Sequence, residues 1–72
     1  MHRYTIVLTP EPDGSAWNVT VPALPGCVTF GTTVEDAIEM AKDAIGLWLE
    51  DLEAGGEPIP ADATPRIEAV EV

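Results

Sequence analysis

Carboxylates dominate the side chains in this sequence that could do chemistry: thirteen Asp and Glu stand against three Lys and Arg and one His. Converging carboxylates can work as an acid–base pair, hold Ca²⁺, or hold the paired metals of a nuclease. None of those spacings occurs. Glu11-Pro12-Asp13-Gly14 lacks the regular oxygen spacing and the closing Glu of an EF-hand loop, and turn chemistry explains it. The strand-like segments carry almost no acids before Glu68, so nothing assembles a two-metal cluster on them. Sites with N and S ligands need grouped His and Cys, whereas His2 lies near a terminus and Cys27 on a strand-like run. As a nucleophile Cys27 would need an electropositive neighbourhood; a small buried hydrophobe is the simpler reading. No glycine-rich phosphate loop is present. The sequence therefore predicts no catalytic residue, no metal and no cofactor, hence not an enzyme.

One group of acids has a pattern. Glu35, Asp36, Glu39 and Asp43 fall along one edge of a helix, either as a solvated face or as a contact surface for a basic partner. The formal net charge of −10 allows both readings and excludes others. Phosphate backbones and anionic membranes are bound through Lys and Arg, and Arg3, Lys42 and Arg66 are few and scattered. With no signal peptide and no apolar run near the roughly 20 residues that span a bilayer, the expected compartment is the cytoplasm.

The elements that position these residues follow from periodicity. Seventy-two residues, 46% of them hydrophobic, predict a single domain over residues 1–72. Residues 3–9 and 16–21 alternate as strands around a Pro/Gly turn at 10–15, giving an antiparallel hairpin, and residues 27–30 form a short third strand. Thr33 with Asp36 approximates a capping box, opening a helix over 34–53 whose apolar face is Val34, Ile38, Ala41, Ile45, Trp48 and Leu52. Gly55-Gly56 ends it, residues 55–65 form a loop pinned by Ile59, and residues 66–72 return to strand composition. That last strand is apolar on both faces, so a covering layer is expected from another chain. The helix is also longer than the strands, so Trp48 and Leu52 are expected to overhang the sheet, whereas Trp17 and Phe30 are assigned to the core. These features predict at least a homodimer, with Trp48, Leu52, Ile67, Val70 and Val72 as interface candidates. The predicted fold class is α+β, a two-layer β-β-β-α-β arrangement with one helix on a small, mainly antiparallel sheet.

The run from Asp13-Gly14 through Val21-Pro-Ala-Leu-Pro-Gly-Cys27, with Tyr4, Gly31-Thr-Thr-Val-Glu-Asp-Ala37 and Gly56-Glu-Pro-Ile-Pro60, resembles the N-terminal domain of the HicB-like antitoxin family over residues 3–60. The resemblance implies a partial RNase H-like fold that neutralises a small basic HicA-type mRNA interferase. Pro22, Pro25, Gly26 and Gly31 serve as fold determinants rather than binding residues. Complete members usually add a C-terminal DNA-binding domain, and no basic segment here corresponds to one, so operator binding is not carried over. An orphan homo-oligomer with a regulatory or small-ligand role is the alternative.

Overall fold

Two turns build the sheet. The computed structural model describes residues 2–72, with strands β1 (Val7–Pro10), β2 (Trp17–Thr20) and β3 (Val28–Gly31) followed by helix α1 (Val34–Ala54). In the first turn Asp13 Oδ1 accepts the Ser15 amide at 2.9 Å, and Gly14 takes φ +75°, a region closed to most side chains. Hydrogen bonds from Ser15, side chain first and amide second, hold the Asp13 carboxyl below the usual carboxylate range. In the second, the Leu24 amide donates to the Val21 carbonyl and the Cys27 amide to the Leu24 carbonyl, each at 2.9 Å, with Gly26 at φ +96°. The result is an antiparallel sheet of order β1-β2-β3, in register Leu8↔Val19↔Thr29 and Trp17↔Gly31.

Alternation assigns the faces. Leu8, Val19 and Gly31 look towards α1, and Val19 packs with Ala37 and Ala41 against Ile6, Leu8 and Trp17. A second cluster forms under the corner, where Val21, Leu24 and Cys27 meet Tyr4, Ile45 and Trp48. Tyr4, Ile6 and Leu8 thus share the predicted face. Of the predicted apolar face, Ala41 is buried and Ile45 and Trp48 pack on the corner cluster, whereas Val34 and Ile38 are exposed and Ala37 and Leu49 complete the buried seam. Small residues win the seam because the first turn must lie on the Gly31 backbone, where an added Cβ would come within 2.3 Å of the Ala37 nitrogen.

Both helix ends are capped. Thr33 Oγ1 accepts the Asp36 amide at 3.0 Å, while Asp36 Oδ2 reaches one residue beyond a capping box, to the Thr32 amide at 2.9 Å. At the other end the Gly56 amide donates to the Glu53 carbonyl and the Glu57 amide to the Leu52 carbonyl, a Schellman pattern with Gly56 at φ +68°. Gly55 itself is helical, so of the predicted pair Gly56 alone takes the positive φ.

The expected last strand does not form. The fold is β-β-β-α, and residues 66–72 are exposed without strand pairing. A strand apolar on both faces finds no covering layer within one copy, and the preceding segment is tied elsewhere. The Tyr4 hydroxyl donates to the Pro60 carbonyl, and the Thr5 amide and hydroxyl donate to Asp62 at 2.8 and 2.7 Å. The loop is therefore held by these hydrogen bonds as well as by half-buried Ile59.

The Asp62 carboxyl is held below its ordinary value by the Thr5 amide first, then the Thr5 hydroxyl, with a smaller contribution from Arg3. A carboxyl whose folded pKa lies below its unfolded value stabilises above the unfolded pKa and loses that contribution as pH falls through the folded one. The Thr5 amide resonance is expected to titrate with a midpoint below 3.8 in NMR spectra and to lose that titration in Asp62→Asn. A midpoint at or above 3.8 would show that the tether does not hold in solution.

Candidate partner-binding surface

The four acids predicted for partner contact are all exposed, but two have local work. Asp36 caps the helix through Thr32, and Glu39 pairs with Lys42 at 3.0 Å. An exposed pair of this kind contributes about 0–1 kcal/mol. Glu35 and Asp36 also sit at the positive end of the helix dipole, which offsets part of their charge.

The opposite end of α1 is different. Glu50, Asp51 and Glu53 lie in its closing turns, where the dipole is negative, and its last turn contains no basic residue. Beside them a shallow cleft of about 300 Å³ is lined by Trp48, Asp51, Leu52 and Glu57. Trp48 does not overhang the sheet as expected. It is half-buried against the Val21, Leu24 and Cys27 cluster, so close to the corner that a Cβ on Gly26 would lie 3.3 Å from its ring. The positive-φ corner thus seats the indole, and the Schellman turn brings Glu57 back to it. Trp48 and Leu52 share this cleft, whereas Ile67, Val70 and Val72 stand exposed on the C-terminal segment.

Sequence reasoning misplaced Phe30. With Val28 it lies on the sheet face away from α1, 58% and 65% exposed. Gly31 carried the missed signal: if positions 29 and 31 meet the helix, positions 28 and 30 must face outward. Cys27 is buried, and that burial pushes its thiol pKa up, opposite to the shift that activates a nucleophile. Among the described residues no group of three or more His, Cys, Asp or Glu could hold a metal ion, and no helix is long and apolar enough to cross a membrane.

Residues 4–71 match the family described as the HicB-like antitoxin of a bacterial toxin-antitoxin system. A UPF0150 protein of Thermoplasma acidophilum is 42% identical over 65 residues, covering 90% of this chain and 93% of that one. A UPF0150 protein of Synechocystis is 37% identical over 62 residues, covering 86% and 77%. The antitoxin HicB of Escherichia coli is 37% identical over 65 residues, which make up 85% of this chain but 46% of that longer protein. A three-stranded antiparallel sheet under one capped helix, with the match running from Tyr4 into the C-terminal segment, identifies this chain as a member of the HicB-like antitoxin family.

Proposed function

We propose that the chain binds and neutralises a small basic RNA-cleaving toxin of HicA type, and that the Trp48 cleft receives a Lys or Arg side chain of that toxin. The observation that supports this reading is a cleft lined by Trp48, Asp51, Leu52 and Glu57 at the negative end of a helix. A cation over an indole gains about 0.5–2 kcal/mol, and a carboxylate on either side adds charge-assisted hydrogen bonds. The chain's part is to occupy the partner, not to catalyse. A partner that cleaves mRNA is met in the cytoplasm, the compartment we assign.

The net charge of −10 governs the encounter, with Glu35, Asp36, Glu39 and Asp43 contributing to the long-range field and the helix C-terminus focusing it. The Debye length falls from about 8 Å at 0.15 M salt to about 3 Å at 1 M. Association with a basic HicA-type toxin is therefore expected to slow by about tenfold or more over that range, while dissociation changes less. Asp51→Asn/Glu57→Gln is expected to weaken the complex by about tenfold or more and to lose toxin neutralisation in a growth assay, with Glu35→Gln/Asp43→Asn affecting association alone. A salt-independent association rate, or a preferred partner that is acidic, refutes the reading.

A further inference from the structure

Helix α1 packs over β3 and β2 and leaves β1 to one side. An apolar groove of about 450 Å³ follows, floored by Ile6, Ile38, Ile45 and Leu49. Its rim holds Arg3 and Lys42, two of the three Lys and Arg side chains in a chain of net charge −10. Beside it, the outer edge of β1 is unpaired, since β1 ends the sheet order. A hydrophobic groove along an open strand edge suits an added β-strand that carries apolar side chains on alternate positions and an acid to meet the rim.

Residues 66–72 have those properties. Ile67, Ala69 and Glu71 share one parity, Val70 and Val72 the other, and Ile67 and Val70 are each 82% exposed. In its own copy this segment is directed off the body. The Thr5–Asp62 tether anchors its root, and Pro65 fixes its own φ and holds the residue before it extended. The radius of gyration is 13.6 Å, against about 11 Å for a compact chain of this length. Seven extended residues reach about 23 Å, enough to cover a strand edge. The family match extends through residue 71, so most of the segment lies within the matched domain.

We propose that residues 66–72 add as a β-strand to the outer edge of β1 of a second copy of this chain, with Ile67 and Ala69 in its groove and Glu71 at its Arg3/Lys42 rim. The exchange is reciprocal about a two-fold axis, so each copy fills the other's groove. Val70 and Val72 then extend the open sheet face beside Val7, which accounts for a strand apolar on both sides.

The test uses the whole chain. Sedimentation at micromolar concentration is expected to give a dimer, and a mixed sample of ¹³C-labelled and unlabelled protein to give intermolecular contacts from the Ile67 methyls to Ile45 or Leu49. Ile67→Asp, at a position exposed in the single copy, is expected to weaken the dimer by about 100-fold or more while leaving the helical circular dichroism unchanged. Glu71→Lys is expected to weaken it less, and Arg3→Glu/Glu71→Lys to restore most of that loss. A monomer whose Ile67 contacts are intramolecular overturns the proposal, as does a dimer lacking those contacts or one held instead through Val28 and Phe30.

Discussion

Gly31→Ala is expected to cost more than about 3 kcal/mol and to lower the melting temperature by about 15 °C or more, measured at one fixed protein concentration. The added methyl would lie 2.3 Å from the Ala37 nitrogen and 2.5 Å from its Cα. Neither is the end of a flexible side chain that could swing aside, so α1 must lift from β3. Lifting it opens the buried Val19, Ala37 and Ala41 cluster between helix and sheet. At about 0.05–0.15 kcal/mol per residue, a chain of 72 residues holds about 4–11 kcal/mol in total. Two other glycines serve as controls. At Gly46 an added Cβ meets nothing within 4 Å, and Gly46→Ala in a helix interior is expected to raise stability by about 0.5–1 kcal/mol. Gly14 also has open space but sits at φ +75°, so Gly14→Ala is expected to cost about 1 kcal/mol from backbone strain alone. If Gly31→Ala melts within a few degrees of the parent, the close approach of helix to strand does not hold.

Gly31 also shows where sequence reading stopped. Elements that depend on near neighbours were legible: the Asp13-Gly14 turn, the hairpin, the Thr33 cap and the Gly56 stop all follow from residue chemistry within a few positions. From Ala41 through Ile45 and Trp48 the packed side of the helix was legible too, but in its first turns it was not, because periodicity counts apolar residues and the seam there selected the small Ala37. Ala37 and Ala41 fit where the larger Val34 and Ile38 do not, and the same distance constraint turned Phe30 outward. The acidic helix edge was legible as a pattern of charge. The cleft was not, since it needs Glu57 returned to Trp48 by a turn whose geometry no spacing rule supplies. The C-terminal strand marks a different boundary. Its composition was read as strand, but pairing is a property of what covers it, and a single copy supplies no cover.

Leu24→Ala is expected to cost about 2–5 kcal/mol, comparable with Gly31→Ala but acting through the other cluster. Leu24 is 1% exposed and belongs to the corner cluster with Val21 and Cys27, against Tyr4, Ile45 and Trp48. Removing its branched end leaves a void there. Closing that void would need a shift of the corner, whose backbone is fixed by the Leu24–Val21 and Cys27–Leu24 hydrogen bonds and by Gly26 at φ +96°. The cost therefore includes a cavity and not only the lost transfer free energy. Because Trp48 packs on this cluster, the same substitution is expected to shift its fluorescence to the red and to weaken partner binding through the Trp48 cleft before the helix melts. Urea denaturation gives the stability change, and the m-value is expected to stay near that of the parent, since the same surface unfolds. Cys27→Ala, which removes a smaller buried side chain from the same cluster, is expected to cost less than half as much. A Leu24→Ala cost below 1 kcal/mol, or a cost without a fluorescence shift, would show that the corner does not support the indole and that the cleft is held by the Schellman turn alone.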